Sequence, residues 1–340
     1  MWDAIVLGLG PAGCAAARTL AASGLRVLAV ERRRLPREKS CSGSLIRRSL
    51  TAVERIFGQP VPAHTTCTPV RTAGMVLVDG GGVEHPSDQE GLNVWRAPFD
   101  AWLASGAAEA GAVLAAGTGG TVLPGVPEAG WPTVRLRTGG GTRLERSRFV
   151  LDCRGVAGHK GGARPVVTYQ TFHRGRCDLD PRYFYGFLQE GLSTYDAWLN
   201  VKDGLLVAGS AAGTPKEARL YHRRFLDYLR THHGFAADEP LRQETWAMPA
   251  VLPGCPLDLG SGRLLRCGEA AGFLNPMGEG ISSALESGAA AARAVATCLD
   301  DPATANEAYR KTTRVLRGYM MRQWDYVAGL SPRFARLRLG

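Results

Sequence analysis

The residues best suited to chemistry lie near the N-terminus, where Gly8-Leu-Gly10-Pro-Ala-Gly13 follows an apolar run from Asp3 to Leu7. That run reads as a short buried strand. Cys14 to Ser23 reads as an alanine-rich helix stopped by Gly24, and Leu25 to Val30 as a second strand closed by Glu31. Strand, glycine-rich turn, helix, strand and acid form the dinucleotide-binding arrangement in its required context. The first glycine permits the tight turn, the second lets backbone approach a pyrophosphate, and the third brings helix against strand. The helix N-terminus offers amide donors and a positive dipole end to phosphate. Glu31 would then accept hydrogen bonds from a ribose diol.

A second glycine-rich turn lies at the far end of the chain. Arg263 to Cys267 reads as a strand, Gly268-Glu-Ala-Ala-Gly272 as a turn, and Phe273 to Gly280 as a loop opening a helix from Ile281 to Leu299. This is again a place for something anionic or electron-rich, so one dinucleotide would be gripped from both ends of the chain. Among eight cysteines (14, 41, 67, 153, 177, 255, 267 and 298) none forms CxxC and none has metal-ligand spacing with histidine. We therefore expect reduced thiols, no metal and a cytoplasmic protein. Cys41 stands apart, because Arg37 and Lys39 nearby would lower its pKa if they approach it.

Four segments together resemble the FAD-dependent oxidoreductases of the p-hydroxybenzoate hydroxylase fold, and within them the geranylgeranyl reductase-related branch. They are GxGPAG with Glu31, Pro36-Arg-Glu-Lys-Ser-Cys41-Ser-Gly-Ser44, Trp95-Arg96-Ala-Pro-Phe99-Asp100, and GEAAGFLNPMGEGI from 268 to 281. A fifth, Val150-Leu-Asp152-Cys-Arg-Gly155, is similar to a segment in which an aspartate ends a strand beneath the FAD. The resemblance implies an α/β fold: a Rossmann-like FAD-binding domain of parallel strands and helices, plus an antiparallel-sheet substrate domain. It assigns 1–60, 92–165 and 250–300 to the first, 61–91 and 166–249 to the second, and 301–340 to a C-terminal helical segment.

By the same resemblance Gly8, Gly10, Pro11, Ala12, Gly13, Glu31 and Arg32 bind the ADP half of FAD. Cys41, Ser42, Arg96 and Asp152 lie close to the cofactor. Gly268, Glu269 and Gly272 touch its ribityl and pyrophosphate region. Pro276, Gly278, Glu279, Gly280 and Ile281 lie against the isoalloxazine, with turn amides facing the edge that becomes negative on reduction. The chain departs from the family pattern at Glu269, at Cys153-Arg154 and at Ser44.

These groups must be positioned by a chain of 340 residues, 45% hydrophobic and 21% charged, long enough to bury a large core. Disorder is excluded by composition, and no apolar run reaches transmembrane length. The net charge of +10 comes from 36 arginines and five lysines scattered without any nucleic-acid-binding signature, so anionic ligands are expected and nucleic acid is not. Alternating strand-like stretches from Val61 to Arg96 and from Val166 to Met248 would roof a substrate cavity. Pro215 to His233 reads as an amphipathic helix whose His222, His232 and His233 are surface residues. The aromatics between Asn306 and Leu330 could be core or cover.

Two reactions compete for such a site. One is hydroxylation of an aromatic or electron-rich small molecule through a flavin C4a-hydroperoxide; the other is hydride transfer to a carbon–carbon double bond. The aromatic-rich middle and the degraded family lipid-channel segment at Pro181 to Gln189 favour the monooxygenase, which is the expected reaction, with the reductase as its alternative. The branch resemblance favours the reductase. NAD(P)H or another donor would act as transient reductant, and a carrier- or protein-bound substrate is a further alternative. Cys41, Trp246 and Tyr185 are the catalytic candidates, with Tyr183 and His173 also placed to face substrate.

Overall fold

In the computed structural model, which describes residues 1–124, 130–161 and 164–339, five parallel strands form the centre of an eight-stranded first sheet. Their spatial order is Leu264–Arg266, Gly141–Asp152, Trp2–Leu7, Val27–Glu31 and Val113–Ala116. Trp2–Leu7 is buried at every position but its first, as expected of a parallel strand covered on both faces. Ala4 and Val6 pack towards the helices, whereas Ile5 and Leu7 pack against Val134 and Leu136 of the antiparallel strand Thr133–Thr138. Because the strands run the same way, their carboxyl ends share one edge. Leu7 pairs with Val30 and Asp152, and Asp152 pairs with Arg266. The turns that follow therefore meet at a single crevice, the usual ligand position in such sheets.

The helix Pro11–Ala22 crosses the helix Ile281–Thr297 at unusually short range. A Cβ on Gly288 would lie 2.1 Å from the Ala12 carbonyl oxygen, and one on Gly13 would lie 1.7 Å from that of Gly8. Alanine and glycine at these contacts bring both helix N-termini to the crevice. The helix Pro302–Leu330 packs behind them with Tyr309 and Trp324 buried, so these two aromatics are core.

A seven-stranded sheet stands over the crevice: Arg242–Met248, Val166–His173, Leu205–Ala212, Ala197–Lys202, Tyr183–Phe187, Gly74–Val78 and Glu84–Ser87. All its pairings are antiparallel except that of Tyr183–Phe187 with Gly74–Val78. The helix Pro215–His232 covers its outer face, held at its start by the Thr214 hydroxyl accepting from the Glu217 N–H. His222 on this helix is not a surface residue. It is 3% exposed, contacts the Thr171 hydroxyl at 2.8 Å, and burial pushes its pKa down to about 3. Among the described residues no helix is long and apolar enough to cross a membrane.

Gly288→Ala is expected to cost about 3 kcal/mol, since both groups in the clash are backbone-anchored and only helix separation relieves it. Urea unfolding should show the midpoint falling with an unchanged slope.

Candidate active site

The glycine turn shows which of its glycines serve the fold and which leave room for something else. Gly8 has φ +93°, and a Cβ there would sit 2.6 Å from the Cys153 carbonyl oxygen. Gly13 is required by helix packing. Gly10 has only the tip of the Arg37 side chain nearby, at 3.5 Å, and borders a cavity of about 280 Å³. It also caps the helix Pro11–Ala22 without a side chain, leaving the first-turn amides facing that space. Arg32, Arg33, Arg37 and Arg154 line the same cavity. Open backbone and several guanidinium groups fit a dinucleotide diphosphate.

Glu31 ends its strand in this cavity, buried, and accepts from the N–H groups of Leu9 and Arg33, each at 3.1 Å. Arg37 approaches the same carboxylate at 3.3 Å and Asp100 at 3.0 Å. Asp100 is fully buried and also takes both 2.9 Å hydrogen bonds of a bidentate contact from Arg96, one helical turn before it. The Arg96 guanidinium in turn lies close enough to the Cys41 thiol to act on it electrostatically. Burial opposes ionisation of the Cys41 thiol. Arg96, the Gly43 N–H, Lys39 and Lys202 outweigh that cost and hold its pKa below the ordinary thiol value.

A second cavity, of about 140 Å³, shares Pro11, Lys39, Arg96, Trp246, Glu269 and Ala284 with the first. Lys39 and Glu269 form a 3.1 Å ion pair at the junction. One wall is the turn Met277, Gly278, Gly280 and Ile281; the facing wall is the sheet, with Phe184, Asp196 and Trp198. Asn275 organises the turn. Its side-chain oxygen accepts from the N–H groups of Met277 and Glu279, and its backbone carbonyl accepts from Gly278. Those amides are therefore spent within the turn. The donors left to face a ligand are at Gly280 and Ile281, where the helix Ile281–Thr297 begins without a side-chain cap.

Most residues anticipated from the sequence line one cavity or the other: Gly8, Gly10, Pro11, Ala12, Glu31, Arg32, Cys41, Ser42, Arg96, Trp246, Gly268, Glu269, Gly278, Gly280 and Ile281. Others do not. Asp152 is 2% exposed and its carboxylate is held by Arg154 at 2.6 and 2.8 Å, so Cys153 and Arg154 face the cavity in its place. Gly13, Gly272, Pro276 and Glu279 shape the turns from behind, Glu279 by accepting from Ser282 N–H at 2.8 Å.

Tyr185 points to the opposite side of its strand, into a core with Phe187 and Phe225, while its neighbour Phe184 faces the cavity. Tyr183 donates to Asp88 at the surface, and His173 contacts Thr171 in the buried layer. The sequence reading missed Asp196 and Lys202. Lys202 is fully buried, donates to the carbonyls of Ser42 and Val94 at 2.8 and 2.6 Å, and lies 4.5 Å from the centre of the Trp95 ring. A lysine closing the strand Ala197–Lys202, whose other residues are apolar except Asn200, was the available signal.

No family model matches the chain. Protein FixC of Escherichia coli (strain K12) is 35% identical over 124 residues, covering 34% of this chain and 29% of that protein's length. A geranylgeranyl bacteriochlorophyll reductase-like protein from Thermoplasma acidophilum superposes with a TM-score of 0.80 at 20% identity, covering 99% of this chain and 89% of that one. CmlS, a flavin-dependent halogenase, superposes with a TM-score of 0.75 at 18% identity, covering 98% of this chain and 67% of that one. The fold is thus shared with these proteins, one of them flavin-dependent, and the cradle at Gly8–Gly13 fits the dinucleotide part of FAD.

Gly10→Ala should leave thermal stability near that of the parent while weakening FAD at least tenfold, about 1.4 kcal/mol, because its Cβ enters only ligand space. Gly13→Ala should instead lose the folded state. Iodoacetamide at pH 7.5 should label Cys41 ahead of Cys14 and Cys255, whose pKa values burial raises, and ahead of Cys153, whose pKa the neighbouring Cys267 and burial raise. Added FAD should slow that labelling, as peptide mapping would show.

Proposed function

We propose that this chain is an FAD-dependent reductase of carbon–carbon double bonds, acting on a small apolar or aromatic substrate. FAD, when bound, would supply the hydride; NAD(P)H or another donor would recharge it. The chain's own residues hold the cofactor's phosphates through Gly10 and the arginines and present substrate between the 277–281 turn and the sheet. Trp198, Trp246, Phe184 and Met248 exclude water there.

The observation that carries this reading is Cys41. Its thiol lines the cavity and is drawn towards the thiolate by Arg96 and its neighbours, which makes it readily oxidised. An oxygen-activating site would place its oxidant beside the most vulnerable thiol in the protein, whereas hydride transfer leaves that thiol untouched. The volume of about 140 Å³ suits a short alkene or one end of a longer one. A second reading, hydroxylation of an aromatic small molecule, draws on the wall formed by Phe184, Trp198 and Trp246.

The two are separated by reducing the FAD-loaded protein anaerobically and adding either a conjugated enone or oxygen with a phenol or indole. Reoxidation by the enone without oxygen, yielding the saturated ketone, is expected. A hydroxylated product formed only with oxygen, and no turnover of any alkene, would replace reduction by hydroxylation.

A further inference from the structure

Asp196 is the one carboxyl group in the wall of the second cavity that no other described side chain pairs with. It is 7% exposed and stands immediately before the strand Ala197–Lys202, on the sheet wall facing the 277–281 turn. Among the described residues no other group hydrogen-bonds or ion-pairs with its side chain; only its own backbone N–H reaches the carboxylate. The loop that carries it is fixed: the Ser193 hydroxyl donates to the Ala211 carbonyl at 2.7 Å and accepts from the Tyr195 N–H at 3.1 Å. The nearby cation, Arg333, gives Nη1 and Nη2 to the carbonyls of Ser193 and Tyr195, and its buried Nε has no hydrogen-bond partner among the described residues. Gln170 on the same wall is already committed to Glu244 at 2.6 Å. Across the cavity the charges are Lys39 with Glu269, and Arg96 with Cys41.

A buried carboxyl without a partner stays protonated rather than carry an uncompensated charge. Burial, only partly opposed by Arg333, pushes Asp196 up to about 7. Cys41 is moved the other way, towards the anion, and so is the poorer proton donor of the two. Two titratable groups on one cavity, displaced in opposite directions, mark an acid and a group kept for another role.

Resting on the reductase reading above, we propose that Asp196 is the general acid of this site, giving its proton to the alkene carbon next to the one that receives hydride. The hydride brings the electron pair from reduced FAD and forms one C–H bond as the π bond opens. The adjacent carbon takes the Asp196 proton as the O–H bond breaks. The alkene gains two hydrogens, FAD is left oxidised by two electrons, and Asp196 is left as a carboxylate that recovers its proton from water.

Two measurements on the FAD-loaded protein test this. The first follows the infrared C=O stretch of protonated carboxyls between pH 5.5 and 8.5 without substrate, in the parent and in Asp196→Asn. The second follows anaerobic reoxidation of the reduced protein by cyclohexenone over the same range. A band that is lost with a midpoint near pH 7 and is missing in Asp196→Asn is expected. So is a parent rate that falls tenfold per unit above that midpoint, and a variant roughly 100-fold slower or more, without that pH dependence. The variant must keep the parent's FAD spectrum and melting temperature. Should it unfold, Asp196→Glu, which keeps the acid, must retain the band and the pH-dependent rate. A variant with the parent's rate and profile, or a parent without the titrating band, overturns Asp196 as the acid and leaves the reductase standing. A parent that shows the band yet is reoxidised by no alkene overturns the reductase, and the role given to Asp196 with it.

Discussion

A single fully buried carboxylate, Asp100, holds the functional edge of this protein together. Two guanidinium groups converge on it, Arg96 from the same helix and Arg37 from the loop after the second strand. Neither the aspartate nor the arginines could be buried alone, because an uncompensated charge in that environment costs several kcal/mol. Each therefore dictates where the others sit. Arg37 is tied to the Glu31 end of the dinucleotide groove, and Arg96 to Cys41 at the start of the second cavity. The two cavities are thus bordered by one charge network.

Around that network the backbone does the coarse positioning. Parallel pairing brings four strand ends to one edge, and the glycine-lubricated contact between the helices Pro11–Ala22 and Ile281–Thr297 turns two uncapped N-termini towards it. Lys202 then locks the second sheet over the crevice. Its desolvated ammonium, whose pKa burial lowers, is offset by two carbonyls and the face of Trp95. Asn93, donating to the Val201 carbonyl at 2.7 Å, and Trp95, donating to Asp203 at 2.8 Å, reinforce that tie.

The same fold carries a reductase-like protein and a halogenase among its structural relatives, so the fold does not choose the reaction. The choice lies in a few side chains on the sheet wall and at Cys41. There the protein has placed groups whose protonation is set by burial and by a neighbouring arginine. The arginine-rich groove, by contrast, is suited to any dinucleotide phosphate and is indifferent to what happens at the far end.

Local pattern accounts for much of what could be read from the residues alone. The spacing of Gly8, Gly10 and Gly13, the acid at Glu31 and the turn at 268–281 are each short-range constraints, so they betray strand, turn and helix without a structure. Alternation marked the strands of the second sheet but could not say which face met the cavity. Phe184 and Tyr185 differ by one position, and only the packed sheet put the former inside and the latter into the opposite core. The family resemblance placed Asp152 close to the cofactor; Arg154, two residues on, claims its carboxylate. His222 read as surface from a helical pattern, and the sheet beneath it buried it. Asp196 and Lys202 carry no motif. Their roles arise from distant segments, Arg333 for one and Ser42, Val94 and Trp95 for the other, and desolvation by such neighbours exists only once the chain is folded.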